Sequence, residues 1–96
     1  MMKILAIETE IEGKRKEEFH PHLEAEALEV WRLYQSDILR EIYFDTENQR
    51  AILILECKDV KEARERLSEL PLVIEKLIHF EVIPLSPYPG YSRLFK

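Results

Sequence analysis

The segment that decides the fold is residues 30–44, VWRLYQSDILREIYF, which has the pattern of a helix end, a tight turn and a strand. Asp37 stands at the turn, where helices often end in a left-handed residue, and Asp tolerates that conformation although Gly is the usual choice. Two adjacent charges, Arg40 and Glu41, then interrupt an otherwise apolar strand. Because neighbouring strand residues point to opposite faces, the pair predicts one charge on each face of the sheet.

The segments on either side of this one give the element order β-α-β-β-α-β. Apolar and alternating runs predict strands at residues 3–8, 38–45, 50–58 and 77–85. Right-handed crossovers turn that order into a four-stranded antiparallel sheet with both helices on one face. The sequence therefore predicts a single ferredoxin-like α+β domain over residues 1–96, with an extended C-terminal tail from about residue 86.

Two helices are predicted to cover that face of the sheet. Pro21 suits the first turn of a helix over 21–35, and the preceding KRKEEFH is compatible with an extra turn ahead of it. Apolar residues at helical spacing predict a buried stripe made of Leu23, Ala27, Val30 and Tyr34. Asp59 as N-cap and Glu62 as its capping-box partner begin the second helix, and Pro71 stops it.

Composition and charge exclude several classes of protein. The chain is 46% hydrophobic and 34% charged with a net charge of -5, and its Lys and Arg form no basic stripe, so nucleic acid is not an expected partner. No apolar run is long enough to span a bilayer, and the first residues, MMKILAIETE, lack the features of a signal peptide. A cytoplasmic location with no membrane partner is therefore expected. Cys57 is the single Cys, which fits a buried small hydrophobe rather than a disulfide framework.

The predicted strands are apolar on both faces. AILIL at 51–55 is apolar in both phases, and ILREIYF at 38–44 is nearly so. Since the helices cover only one face, the other is expected to be an interface, and the simplest solution is a homodimer that packs sheet on sheet. The alternative is that the C-terminal tail folds back over the sheet. The apolar residues of that tail also fit packing on a partner or across a pocket mouth; they are Tyr88, Tyr91, Leu94 and Phe95.

Two stretches resemble a known family. In LSELPLVIEKLIHFEVIPLSPYPGY, residues 67–91, the run Leu70-Pro71-Leu72 and the strand closing in Val82-x-Pro84-Leu85 are similar to the end of muconolactone isomerase. EAEALEVWRLYQSDILREIYF, residues 24–44, resembles a group of small proteins within the same superfamily. The resemblance implies a dimeric α+β barrel, assembled into larger rings in some members, and isomerase chemistry without a cofactor. Some barrels of this kind are cofactor-free monooxygenases, which leaves oxygen-dependent chemistry as a weaker alternative.

A pocket between the first helix and the sheet is the predicted functional site. The hairpin register predicts that Arg40, which the resemblance matches to an isomerase arginine, lies beneath the helices, where a guanidinium needs a carboxylate or a bound anion. His22 and Glu26 lie one turn apart on the flank of the first helix. Arg40 would then anchor a substrate carboxylate while Glu26 or His22 moves a proton at an adjacent carbon. Trp31 and Tyr34 are predicted to line the cavity.

The residues of the predicted pocket also have a purely structural interpretation. Arg40 and Glu26 could form an internal salt bridge, with Trp31 and Tyr34 as core aromatic residues. The predicted function is therefore isomerisation or proton transfer on a small carboxylate or lactone, and the alternative is a non-catalytic homodimeric module that binds a ligand or assembles with a protein.

The remaining charged and imidazole groups give weaker signals. Glu41 and Glu56, both expected on the face away from the helices, fit a carboxylate pair or the polar rim of an interface. His20 and His22 are close in sequence, but no H-x-x-x-H or C-x-x-C spacing accompanies them. No metal and no other cofactor are expected.

Overall fold

The fold is a four-stranded antiparallel sheet with helices on one face. A computed structural model of the chain describes residues 1–95. In chain order its elements are β1 (Met2–Glu10), α1 (Lys16–Phe19), a 3-10 turn (His20–His22), α2 (Leu23–Gln35), β2 (Leu39–Phe44), β3 (Ala51–Cys57), α3 (Val60–Leu67), α4 (Pro71–Ile74), β4 (Ile78–Leu85) and a second 3-10 segment (Pro89–Leu94). The sheet order β2-β3-β1-β4 is consistent with the predicted ferredoxin-like α+β fold. None of the helices in residues 1–95 combines the length and the apolar character that a membrane crossing needs.

The core lies between the sheet and the helices. The two central strands, β1 and β3, contribute Ile4 and Leu55, both fully buried, and α3 adds Ala63 and Leu67. Cys57 ends β3 inside this cluster as a free, buried thiol, as predicted from its apolar surroundings. The face of β1 and β3 that meets the helices is therefore a dense apolar layer.

A β-bulge corrects the predicted placement of the strand charges. The pairing of β2 with β3 shifts between Leu39 and Glu41, so Arg40 is the extra residue. Leu39 is only 2% exposed and belongs to the core. Glu41 lies opposite Ile54, and Nε of Arg40 lies 3.5 Å from Oε1 of Glu56. Both charges thus occupy the face that the helices leave open, and the prediction of one charge on each face is wrong because the bulge interrupts the alternation.

Helix α2 faces the core with a different stripe from the predicted one. Its buried residue is Leu33, and Val30 packs at the edge of the same cluster. Leu23 is 48% exposed and Tyr34 is 53% exposed, so the predicted stripe flanks the space between helix and sheet instead of filling it. Helical periodicity predicts a helix but not how the helix is rotated about its axis. The rotation of α2 follows from its packing on α4 as well as on β2.

The start of α3 follows the predicted capping pattern. Oδ1 of Asp59 accepts a hydrogen bond of 2.8 Å from the backbone N–H of Glu62. The Glu62 carboxylate in turn accepts one of 2.8 Å from the N–H of Lys58, one residue before the N-cap. Pro71 does not end this helix directly, because α3 finishes at Leu67 and Pro71 is the first residue of the short helix α4.

Left-handed residues follow two of the helices. Asp37 has φ of 64°, which confirms the conformation predicted for the turn after α2, and Lys76 has φ of 59° after α4. A Cβ atom makes this conformation costly for residues other than Gly. The backbone at each of these positions is therefore strained, and the surrounding packing holds it in the left-handed conformation.

Replacing Lys76 by Gly is expected to raise the free energy of unfolding by about 0.5–1 kcal/mol, because Gly adopts the left-handed conformation without the Cβ clash. Urea denaturation followed by circular dichroism measures the change. Arg64→Gly within α3 is the matched control and is expected to cost about 1 kcal/mol. A Lys76→Gly variant that is as destabilised as the control would contradict the argument.

The C-terminal tail is not extended throughout, which corrects the prediction. Pro89–Leu94 forms 3-10 turns, in which the Tyr88 and Tyr91 rings meet edge to face with centroids 5.1 Å apart. Gly90 is buried, and a Cβ there would collide with the Tyr88 ring, so Gly permits this close approach without a movement of the ring. Both tyrosine side chains remain largely exposed. Lys96, the last residue of the predicted tail, lies outside the described residues.

Candidate functional site

A cavity of about 330 Å³ lies between α2, the helix-covered face of the sheet and α4. All four strands and α2 contribute to its lining, which includes Ile42 of β2, Leu53 of β3 and Phe80 of β4. Two carboxyl groups, Glu8 of β1 and Glu26 of α2, are the ionisable groups of that lining. An apolar cavity with a few converging polar groups is the usual form of a small-molecule site.

A larger depression of about 710 Å³ lies over the connection between β1 and α2. Exposed Lys and Glu side chains form much of its wall, including Lys14, Lys16 and Glu17. Ordering these long, solvated side chains around a ligand would cost conformational entropy. The smaller cavity, with its buried carboxyl, is the better candidate site.

Glu8 is placed in the cavity by the alternation of β1. It shares a strand face with Ile4 and Ala6, which are both fully buried, and is itself only 9% exposed. Oε1 of Glu8 accepts a hydrogen bond of 2.7 Å from the backbone N–H of Ala51. Burial raises the pKa of the Glu8 carboxyl, the bond from Ala51 acts in the opposite direction, and the negative charge of Glu10 raises it further.

Glu26 reaches the cavity from the opposite wall. Its Oε1 accepts a hydrogen bond of 2.9 Å from the backbone N–H of Leu72, in the first turn of α4. Burial raises the pKa of Glu26, the bond from Leu72 lowers it, and the charges of Glu8 and Glu29 raise it further. Glu26 therefore joins α2 to α4 and also presents a carboxyl group of increased basicity to the cavity.

The predicted ligand-binding aromatic residues lie beside this cavity. Trp31 and Tyr34 line a neighbouring surface groove together with Leu39 and Ile42, and their ring centroids are 5.4 Å apart. Each of the two rings is 53% exposed. Ala27, Val30 and Ile42 line both spaces, so the groove adjoins the cavity along these residues.

His22 and Arg40 have positions different from those predicted for a shared pocket with Glu26. Nε2 of His22 lies 3.9 Å from Oε1 of Glu75, and His22 is not part of the cavity lining. The predicted position of Arg40 beneath the helices is wrong, because the bulge turns its side chain toward Glu56 on the open face and toward Asp37 in the preceding turn. Neither a salt bridge between Arg40 and Glu26 nor a cationic anchor from Arg40 exists in this cavity.

Glu8 is the site residue that sequence analysis missed. A signal for it exists, because Glu8 is in phase with Ile4 and Ala6 along β1. The other phase of the strand, Leu5 and Ile7, is equally apolar, so the alternation alone does not show which face the helices cover. Pairing with β3 and β4 decides this, since it aligns Ala6 with Leu53 and Glu8 with Phe80.

Metal-ligating side chains do not cluster in the part of the chain that the structure describes. Within residues 1–95, no group of three or more His, Cys, Asp or Glu side chains has a geometry that could hold a metal ion. The two cavity carboxyls are too few by themselves to form a typical structural metal site.

Replacing Glu8 by Gln is expected to stabilise the protein by about 1 kcal/mol near pH 8, because a neutral amide replaces a buried carboxylate. The pKa of Glu8 is raised from 4.5, so the folded state holds its proton more tightly than the unfolded state. The stabilisation that comes from this tighter proton binding is fully present below pH 4.5 and is lost as the pH rises through the raised pKa of Glu8. Urea titrations across this window should show that the advantage of the variant grows with pH. Glu24→Gln, at an exposed position of α2, is the control, and a pH-independent difference for Glu8→Gln would contradict the assignment.

Comparison with known proteins gives no assignment. A scan against protein-family models found no match to the chain, and a search of curated proteins found no significant match. The functional proposal therefore depends on the cavity and on the sequence resemblance.

Proposed function

We propose that this chain is a small, cofactor-independent protein that binds a mainly apolar lactone or related carbonyl compound in the Glu8–Glu26 cavity and moves a proton within it. One observation carries the proposal: a carboxyl group with a raised pKa, Glu26, faces an apolar cavity that also holds Glu8. The resemblance to muconolactone isomerase supports the same chemistry. Leu70 and Leu72, from the Leu-Pro-Leu motif, line this cavity.

The reaction needs a single base. The Glu26 carboxylate removes a proton from the carbon between the carbonyl and the double bond of a β,γ-unsaturated lactone. Electrons of the broken C–H bond move the double bond into conjugation, and Glu26 returns the proton to the far carbon, so no atoms are gained or lost. A raised pKa makes Glu26 a stronger base. Glu8 lines the same cavity and, when it is protonated, can donate a hydrogen bond to the carbonyl oxygen as negative charge develops.

A neutral lactone fits this cavity better than a free carboxylate, although the sequence predicted either. Arg40, the predicted anchor for a carboxylate, lies on the other side of the sheet. A carboxylate ligand would meet two acidic side chains, and among residues 1–95 no Lys, Arg or His belongs to the cavity lining. Charge repulsion and desolvation would both oppose its binding.

Isomerisation of alpha-angelica lactone, a small β,γ-unsaturated lactone, tests the proposal. NMR should show that the protein accelerates formation of the conjugated isomer, with the hydrogen removed from the carbon next to the carbonyl transferred to the far carbon. An acetate buffer of equal carboxylate concentration measures the background rate. The proposal is contradicted if the protein gives no acceleration over acetate and the lactone causes no change in the protein spectrum.

A non-catalytic homodimeric module is the second candidate, and the open face of the sheet favours it. Half-buried apolar side chains form the centre of that face; they are Leu5, Ile7, Ile52, Ile54 and Ile83, here called the open-face patch. Charged groups such as Arg40 and Glu56 lie at one end of it. Two copies packed through the open-face patch would form the dimeric α+β barrel that the resemblance implies. A cytoplasmic location remains part of this proposal.

A further inference from the structure

We infer that the Glu8–Glu26 cavity binds apolar primary amines in their protonated form in preference to alcohols or carboxylates of the same shape. The inference depends on the proposed ability of the cavity to hold a small molecule, but not on its catalysing a reaction. An amine would then compete with the carbonyl substrate for the same space.

The burial of Glu8 is the first argument. Its side chain is only 9% exposed and lines the cavity. Within residues 1–95, Glu8 has one side-chain hydrogen bond, from Ala51 to Oε1, and forms no ion pair. Oε2 therefore has no donor from the described protein groups. A buried carboxylate without a counter-ion is costly, and a cationic ligand would supply one.

The charges around the cavity are the second argument. Glu26 is a second carboxyl in the lining, and the groups whose charges act on the pair are also acidic, namely Glu10 and Glu29. Among residues 1–95, the nearby His22 faces Glu75, outside the lining. An ammonium group has three donors and no acceptor, which matches two carboxyls with free acceptor capacity.

The size and the walls of the cavity define the rest of the ligand. A volume of about 330 Å³ accommodates a single aromatic ring with a short side chain. Val30, Leu53 and Phe80 are among the apolar residues that would contact the ring. We therefore expect a ligand with one charged nitrogen and one compact apolar body.

Three probes that share a phenylethyl body test the inference. Isothermal titration calorimetry near pH 8 would compare phenethylamine, phenethyl alcohol and hydrocinnamate, which differ in the charge of the head group. We expect the amine to bind at least about tenfold more tightly than the alcohol, and the carboxylate to bind most weakly. Glu8→Gln and Glu26→Gln should each narrow the difference in affinity between the amine and the alcohol, because each removes a negative charge from the cavity. Glu81→Gln, at an exposed position of β4, is the matched control.

The outcomes separate this inference from the proposed function. Equal binding of amine and alcohol by the wild type would overturn the charge preference but leave a ligand cavity. Absence of binding by all three probes would overturn both. If a Gln variant does not fold, NMR of the wild type still decides: the amine should shift the backbone amide signals of Ala51 and Leu72, which donate to the two carboxyls. Amine binding that leaves both signals unchanged would overturn the assignment to this cavity.

Discussion

A Glu26→Gln variant is expected to fold like the wild type and to isomerise alpha-angelica lactone at least about 100-fold more slowly. The amide oxygen of Gln can still accept the hydrogen bond from the N–H of Leu72, so the link between α2 and α4 is retained. The amide cannot accept a proton from carbon at neutral pH, and the proposed base is lost. Initial rates from NMR or absorbance, together with the circular dichroism melting curve, measure both effects.

Two further variants test whether Glu26, rather than another carboxyl group, is the base. Glu24→Gln removes a carboxylate from an exposed position of the same helix and is expected to leave the rate unchanged. Glu8→Gln should reduce the rate by a smaller factor, because Glu8 is proposed to stabilise the carbonyl oxygen rather than to take the proton. Should Glu26→Gln retain the wild-type rate, another group would have to be the base.

If the wild type forms the proposed dimer at micromolar concentrations, an Ile54→Glu variant is expected to be a monomer under the same conditions. Ile54 lies on β3 opposite Leu5 of β1 and belongs to the open-face patch. A carboxylate placed there would be buried without a partner on dimerisation, at a cost of about 3 kcal/mol or more. That cost raises the dissociation constant by more than about 100-fold. Analytical ultracentrifugation or multi-angle light scattering measures the change.

Ile74→Glu is the matched control for this substitution. Ile74 is an exposed Ile on α4, in the helical layer, so the same change there should leave the dimer intact. Circular dichroism of both variants checks that the monomer fold survives. A wild type that is monomeric at these concentrations, or an Ile54→Glu variant that still dimerises, would contradict the barrel proposal.

Sequence reasoning identified Glu26 as a candidate site residue but missed Glu8, which lines the same cavity, and it misplaced Arg40. The helix–sheet location that it predicted for the pocket is the location of the cavity. The error at Arg40 follows from a bulge, because a bulge depends on how two strands pair and leaves the strand's own apolar pattern unchanged. Because Arg40 therefore lies outside the cavity, the proposed ligand is a lactone rather than a carboxylate.

The amino-acid sequence by itself determined the features that depend on neighbours along the chain. These are the order of strands and helices, the cap of α3 at Asp59, the left-handed Asp37 and the apolar character of both sheet faces. Caps, turns and periodic patterns involve residues within about one helical turn of each other, so their signals are local.

Tertiary structure alone decided the rotation of α2, the bulge at Arg40 and the presence of Glu8 and Glu26 in one cavity. Each of these depends on contacts between segments far apart in sequence. Glu8, for example, accepts its hydrogen bond from Ala51, and Glu26 accepts its own from Leu72. Such contacts form only when strands and helices pack. A strand whose two faces are equally apolar has no local preference for which face is buried. The energies of burial and strand pairing make that choice.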